Sequence, residues 1–100
     1  MASATPAAPT LPAAPTGVKA TANGKKRITV TWLASSGATS YKVKRSSTPG
    51  GALTVVGPNV TSLSFTDTSV VSKSTYYYVV SAVNAAGESG NSSQVSATAK

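Results

Sequence analysis

One long run of β-branched and aromatic residues limits what this chain can fold into. It extends from Ser74 to Asn84, reads STYYYVVSAVN, and is followed by a turn-like Ala-Ala-Gly. Such residues favour a pleated, half-buried surface, so the run predicts a central β-strand. Successive side chains of a strand point to opposite faces. We therefore expect Tyr76, Tyr78, Val80 and Ala82 to face a core, and Tyr77, Val79, Ser81 and Val83 to face outward.

The rest of the chain after residue 16 consists of short alternating segments separated by turn residues. The clearest runs from Arg27 to Leu33, where large apolar residues alternate with threonines. Strand-like segments at this spacing, with no helical period, predict an all-β fold of seven antiparallel strands in two layers. The predicted core residues are Ile28, Val30, Trp32, Tyr41, Val43, Leu63, Phe65, Tyr76, Tyr78 and Val80.

Two boundaries and two connections can be placed along the chain. Residues 1–16 are rich in Pro, Ala and Thr and predict an extended interdomain linker or a disordered tag, which leaves residues 17–100 as one domain. Asn23-Gly24 predicts a tight turn, because both residues tolerate positive φ. Gly87 to Asn91 predicts a polar loop.

The chain carries few of the side chains that catalysis requires. It has no cysteine and no histidine, and its only carboxylates are Asp67 and Glu88. These two flank the long strand, so at about 3.3 Å per residue we expect them about 25–30 Å apart, too far to act as an acid–base pair. Asp67 is predicted to cap a turn and Glu88 to be a solvated loop charge. We predict no catalytic residue, no metal site and no cofactor.

Four segments carry a resemblance to a known family. They are Trp32, Tyr41-Lys42-Val43, Leu63-Ser64-Phe65-Thr66-Asp67, and Tyr76 to Gly87. Together they resemble a fibronectin type III domain of the bacterial kind found in secreted polysaccharide-degrading enzymes such as chitinases and cellulases. The resemblance implies an immunoglobulin-like β-sandwich in which the hydroxyl of Tyr76 binds backbone a few residues upstream. Val70 and Lys73 depart from the family, which usually has Leu and often Gly at those positions.

The resemblance also implies a role. We expect a non-catalytic accessory or spacer module of a secreted multidomain glycoside hydrolase, which sets the distance and orientation between catalytic and carbohydrate-binding domains. The chain would then be a piece of a longer extracellular protein, with the signal peptide elsewhere in that protein. Its partners would be neighbouring domains of the same chain, and we expect a monomer that binds neither nucleic acid nor membrane.

An alternative function is weak binding of insoluble polysaccharide. It would use the outward face of the third and sixth strands, where an exposed aromatic ring beside cations could stack on a sugar. The residues predicted for this polymer-contact face are Lys42, Lys44, Tyr77 and Val79.

The net charge of +7 predicts a further surface. In an alternating antiparallel topology, the odd-numbered connections and the C-terminal end gather at one pole of the sandwich. Seven of the nine cations would lie there, with Asp67 as the only acid: Lys25, Lys26, Arg27, Lys44, Arg45, Lys73 and Lys100. This basic pole is predicted either to aid solubility or to dock electrostatically on an acidic domain or an anionic polymer.

Overall fold

The computed structural model describes residues 11–100, and all of its regular structure is β-strand. The first ten residues of the predicted linker lie outside the described residues. In chain order the strands are β1 (Lys19–Gly24), β2 (Arg27–Thr31), β3 (Ser40–Ser46), β4 (Thr54–Val60), β5 (Ser64–Asp67), β6 (Thr75–Asn84), β7 (Gly87–Glu88) and β8 (Val95–Thr98). Within residues 11–100, no helix has the length and apolarity needed to span a membrane.

Two antiparallel sheets make up the fold. One has the order β1-β2-β5. The other has the order β4-β3-β6, and both β7 and β8 pair with the remaining edge of β6. The aromatic run therefore forms a central strand, and the predicted all-β sandwich is confirmed. The described residues form one strand more than the seven predicted, because β7 lies within the segment predicted to be a polar loop.

The core lies between the two sheets. Trp32 and Tyr41 pack against each other at one end, with ring centroids 5.5 Å apart. The buried apolar residues are Ile28, Val30, Trp32, Tyr41, Val43, Val70, Tyr76, Tyr78, Val80, Ala82 and Ala99. Eight of the ten predicted core residues belong to this cluster, and Phe65 is partly buried against it.

Leu63 is the exception, since it is 42% exposed and the prediction that it is buried is wrong. Its carbonyl accepts a hydrogen bond from the backbone N–H of Trp32 (3.1 Å), so its backbone continues the sheet. However, β5 begins only at Ser64, and the rings of Trp32 and Tyr41 fill this end of the interior. The inward alternation of β5 therefore does not extend to Leu63.

The outward face of β6 is less exposed than the alternation predicts. Val79 is only 6% exposed and Ser81 is fully buried. Two contacts cross this face: the Nζ of Lys44 donates to Asn91 Oδ1 (2.8 Å), and the backbone N–H of Gly50 donates to Gln94 Oε1 (3.0 Å). Because β3 lies on one side of β6 and residues 91–94 on the other, these side chains cover the middle of the strand.

The predicted polar loop after β6 is partly an irregular sheet edge. The backbone N–H of Ser89 donates to the carbonyl of Ala82 (2.7 Å), and the hydroxyl of Ser89 accepts from the N–H of Ala82 (2.9 Å). Ser92 makes the same pair of hydrogen bonds with Val80, at 2.8 and 2.9 Å. Two serine hydroxyls thus replace the backbone carbonyls that a regular strand would supply, which satisfies the buried edge of β6.

The first hairpin turns later than predicted. Its turn residues are Lys25 and Lys26, while Gly24 still pairs with Arg27 in the sheet. The register shifts between Ala22 and Gly24, and this irregularity takes up the extra residue. A tight turn at Asn23-Gly24 is therefore wrong, and the two lysines occupy the tip of the hairpin instead.

The chain begins to pack before residue 17. Pro12 and Pro15 are buried, and the carbonyl of Thr16 accepts a hydrogen bond from the N–H of Leu33 (2.9 Å). Proline has no backbone N–H, so these residues can be buried with fewer unsatisfied polar groups than most. The segment from residue 12 onward, expected to be linker, thus lies against the sandwich.

At the opposite end, the connection from β5 to β6 is fixed by Tyr76. Its hydroxyl accepts a hydrogen bond from the N–H of Val71 (2.9 Å), the geometry that the resemblance implies for a corner tyrosine. The turn before β6 closes with the N–H of Ser74 donating to the carbonyl of Val71 (3.1 Å). Within this turn Lys73 adopts a φ of 66°, a conformation that glycine reaches more easily.

Candidate functional site

The outer face of the larger sheet carries a network centred on Glu88. Its carboxylate accepts hydrogen bonds from Lys44 Nζ (2.6 Å), Lys42 Nζ (3.3 Å) and the hydroxyl of Ser81 (2.7 Å). The pairing of β6 with β7 places Glu88 opposite Val83, so its side chain lies along the outer face of β6. The prediction that Glu88 is a solvated loop charge is therefore wrong.

This network holds Glu88 in its ionised form. The hydrogen bond from Lys44 contributes most, followed by that from Ser81, and together they lower the pKa of Glu88 to about 2. Both ammonium groups share this one carboxylate. The side chain of Lys44 is only 17% exposed and that of Lys42 is 36% exposed.

Three of the four residues predicted for the polymer-contact face are therefore not available in the way that the prediction requires. Lys42 and Lys44 are paired with Glu88, and Val79 is buried beneath the contacts that cross β6. Tyr77 is half-buried. The face presents no exposed aromatic ring with free cations beside it, which is the arrangement on which the predicted sugar contact depends.

The second network lies on the inner side of the same sheet, around Asp67. One carboxylate oxygen accepts from Arg45 Nη1 and from the hydroxyl of Tyr78, both at 2.8 Å. The other oxygen accepts from the N–H (3.0 Å) and the hydroxyl (2.7 Å) of Ser69. The bonds to Ser69 form the turn cap that the sequence predicts. The guanidinium of Arg45 also lies 5.1 Å from the centroid of the Tyr76 ring.

Burial and hydrogen bonding act in opposite directions on this group. Burial alone would raise the pKa of Asp67, but the bonds from Ser69, Arg45 and Tyr78 outweigh it and hold the pKa below its ordinary value. For Tyr78, burial and the bond to Asp67 both raise the pKa well above its ordinary value. Asp67 is therefore a charged acceptor and Tyr78 a protonated donor over the whole neutral range.

The two carboxylates are separated in a different way from that predicted. They do not lie at opposite poles, since Asp67 binds Tyr78 and Glu88 binds Ser81, three positions further along β6. Because neighbouring side chains in a strand face opposite ways, the sheet itself lies between the two acids. Among residues 11–100 there is no group of three His, Cys, Asp or Glu side chains that could hold a metal ion.

Five of the nine cations gather at the pole where β6 begins. The N–H of Lys100 donates to the carbonyl of Gly24 (3.3 Å), and the N–H of Lys73 donates to the carbonyl of Ala99 (2.8 Å). These bonds join the tip of the first hairpin, the turn before β6 and the end of β8. Five exposed cations lie on these segments: Lys25, Lys26, Arg27, Lys73 and Lys100.

Lys44 and Arg45, the other two cations assigned to that pole, are placed differently. Lys44 pairs in register with Val79 in the middle of β6, and its side chain extends toward Glu88. Arg45 turns inward and is held by Asp67. Both assignments to a free basic surface are wrong, because each acid of the chain binds a cation of β3.

A shallow pocket lies at the other end of the smaller sheet. It is lined by Gly17, Lys19, Thr31, Trp32 and Leu33. The lining contains one cation and no carboxylate, so it lacks an acid–base pair. The indole N–H of Trp32 is buried without a hydrogen-bond partner among the described residues.

Comparison with known proteins places this sandwich in a family. The family model for the fibronectin type III domain matches residues 13–98. The chain is 40% identical over 87 residues to an amylopullulanase of Thermoanaerobacterium saccharolyticum, a match that covers 87% of this chain and 6% of that protein. It is 38% identical over 88 residues to a poly(3-hydroxybutyrate) depolymerase of Ralstonia pickettii, covering 87% of this chain and 17% of that protein.

The chain thus spans only a small part of the curated relatives it matches. Among solved structures, it is similar to the crystal structure of a Fn3-like protein from Clostridium thermocellum, with 41% sequence identity and a TM-score of 0.84. That match covers 91% of this chain and 96% of the other. The strand order, the corner tyrosine and these matches agree, and this chain belongs to the fibronectin type III family.

Proposed function

We propose that this domain is a non-catalytic spacer in a secreted, multidomain hydrolase that degrades an insoluble polymer. The observation that carries the proposal is the position of the segments that precede the first strand and follow the last. Thr16 is bonded to Leu33 at the end of β2, whereas Lys100 is bonded to Gly24 at the other end of the same hairpin. A domain that the chain enters at one pole and leaves at the other holds its two neighbours apart by its own length.

The relatives support this proposal by their size and by their names. Amylopullulanases and poly(3-hydroxybutyrate) depolymerases are degradative enzymes, and the matched segment is a minor fraction of each chain. One name specifies a polysaccharide substrate and the other a polyester. The proposed parent enzyme is therefore a hydrolase of either a polysaccharide or a polyester, and not of a polysaccharide alone. In it, this domain would lie outside the cell beside catalytic and polymer-binding domains.

The outer face of β3 and β6 supports a spacer role better than it supports polymer binding. Both cations of that face bind Glu88, and Val79 is buried. A sugar would have to displace an internal ion pair to reach them.

The experiment replaces residues 11–100 in a parent hydrolase by a flexible Gly/Ser segment of equal length. We expect unchanged turnover on a soluble oligomer and lower activity on the insoluble polymer, because a flexible chain does not fix the distance between the flanking domains. Equal activity on both substrates would contradict a spacer role. Co-sedimentation of the isolated domain with starch or poly(3-hydroxybutyrate) granules would instead show that it binds polymer directly.

A further inference from the structure

Every acidic side chain of this protein forms an ion pair with a cation of the same domain. Asp67 binds Arg45, and Glu88 binds Lys42 and Lys44. These two acids are the only ones in the sequence, which has nine Lys and Arg residues. Six cations therefore have no carboxylate side chain available to them within the molecule. The excess positive charge must be met by solvent ions or by a partner.

Five of those six cations occupy one pole. They come from three segments that are distant in sequence, and backbone hydrogen bonds from Lys73 to Ala99 and from Lys100 to Gly24 hold the segments together. All five side chains are exposed, as is Val71 at 61% beside them. We call this surface the lysine pole; its cations are Lys25, Lys26, Arg27, Lys73 and Lys100.

The backbone at Lys73 adds a second, independent observation. Its φ of 66° lies in the left-handed region, which costs a residue with a side chain about 1–2 kcal/mol relative to the ordinary helical region. Glycine would adopt this conformation freely. The fold nevertheless places an exposed lysine here, and within residues 11–100 its side chain makes no hydrogen bond or ion pair that would offset the strain. Its ammonium group is therefore free to bind a partner outside the folded domain.

We propose that the lysine pole binds an acidic polysaccharide, a chain that carries carboxylates at regular intervals. The cations project from a hairpin tip, a turn and a strand end, so they suit charges spread along a polymer better than one small anion. Four of the five are lysines, which act as point charges and lack the bidentate fork with which arginine recognises phosphate. The exposed Val71 adds an apolar surface against which a sugar ring can pack.

Nucleic acid fits this pole less well. Binding of single strands relies on aromatic side chains on which bases stack. The rings of Trp32, Tyr41, Tyr76 and Tyr78 are buried in the core, and Tyr77 lies on the outer face of β6. The lysine pole thus supplies charge without a stacking platform. This interaction is separate from the spacer role and does not depend on it.

The contact is electrostatic and exposed, so it must depend on salt. Interactions between exposed charges are screened beyond about 8 Å at physiological ionic strength. We expect binding at 20 mM NaCl that is lost at 500 mM NaCl. Removing three of the five charges should weaken it about tenfold at low salt, since each exposed pair contributes only modestly.

The test uses the 100-residue chain and polygalacturonate as the probe, with neutral dextran as a control polymer and isothermal titration calorimetry as the readout. The test variant is Lys25→Gln/Lys26→Gln/Lys73→Gly. Lys73→Gly alone relieves the backbone strain, so it should leave the domain at least as stable while weakening binding. The control matched to Lys73→Gly is Lys19→Gln, which likewise removes one exposed, unpaired charge, but at the other end of β1.

The proposal is supported if polygalacturonate binds at low salt, dextran does not, and both the triple variant and Lys73→Gly alone lose affinity while Lys19→Gln retains it. No binding at 20 mM NaCl would overturn it. An equal loss of affinity for Lys73→Gly and Lys19→Gln would overturn it as well, because binding would then follow net charge alone. Tighter binding of single-stranded DNA than of polygalacturonate would replace the polysaccharide by a nucleic acid.

Discussion

The two acid-centred networks use the same strand in opposite ways. Lys44 and Arg45 are consecutive in β3, and each extends toward one acid. Arg45 meets Asp67, whose side chain is 2% exposed, whereas Lys44 meets Glu88, whose side chain is 30% exposed. One network therefore belongs to the interior and the other to the surface of the same sheet.

The comparison shows that burial sets the energetic weight of an ion pair. Asp67 has given up its hydration and depends on four hydrogen bonds from the protein. Removing a partner there leaves an uncompensated buried group, which is costly. Glu88 can regain water if it loses a partner, and salt screens its attraction to the lysines. The lowering of the pKa of Glu88 to about 2 thus does not make Glu88 the more important group for stability.

The largest expected effect is that of Asp67→Asn. Both carboxylate oxygens of Asp67 accept hydrogen bonds, so the NH₂ group of an asparagine would face at least one donor and could not accept from it. The negative charge opposite Arg45 would also be lost. We expect a loss of about 3 kcal/mol in the free energy of unfolding, measured by urea denaturation. The same change at the surface, Glu88→Gln, is the control. A loss below about 1 kcal/mol for Asp67→Asn would remove the distinction between the networks.

A smaller effect is expected for Tyr78→Phe. This variant removes one donor to Asp67 while the ring, which is fully buried, keeps its packing. The loss should be about 1–2 kcal/mol, as for a buried hydrogen bond to a charged group. Tyr77→Phe removes a hydroxyl from the half-buried outer face and should change the free energy of unfolding by less than about 0.5 kcal/mol. Equal losses for the two variants would argue against a special role of the inner network.

Of the two networks, the surface one gives the smaller effect at neutral pH: Glu88→Gln should lower the free energy of unfolding by about 0.5–1 kcal/mol. The size of this effect depends on pH. In the unfolded chain Glu88 takes up a proton near its ordinary pKa of 4.5, but in the folded protein only near 2. The stability that the network contributes is therefore present above pH 4.5 and is lost as the pH falls toward 2.

Thermal unfolding of both proteins between pH 2 and pH 7 checks this expectation. The difference between the native chain and Glu88→Gln should shrink as the pH falls through this range, and 1 M NaCl should reduce it at pH 7. The native chain will still lose stability in acid, since the pKa of Asp67 is also lowered. A difference that is independent of pH would show that the pair of Glu88 with Lys44 does not form in solution.

Alternation along strands accounts for what could be predicted of the interior. Trp32, Tyr41 and Tyr78 occupy positions where every second residue is apolar, and all three are buried. The same rule fails at Leu63 and Val79. Alternation specifies which face of a strand a side chain occupies, but whether that face is covered depends on segments distant in sequence. The residues that cover Val79 lie in the segment after β7 and in the loop after β3.

The sequence predicted the residues of a candidate surface only where the position of the backbone in the strand order determines where the side chain lies. The hairpin tip, the turn at Lys73 and the end of β8 follow from strand order. The pairing of Glu88 did not, because Gly87 to Asn91 has the composition of a loop and nothing in it indicates that Ser89 and Ser92 will bond to β6. The only hint is a pattern of alternating lysines on β3 with a single glutamate elsewhere in the chain.

Taken alone, the sequence determined the fold class, the central strand, the large members of the core and the absence of histidine and cysteine chemistry. These follow from residue type and period, which are local properties of the chain. Only the tertiary structure decided which cations are free. Asp67 and Glu88 bind the three cations of β3, which lie beside them in space, and neither acid binds any of the five exposed cations of the lysine pole. Charge pairing acts over a few ångströms, so it is fixed by packing and not by position in the sequence.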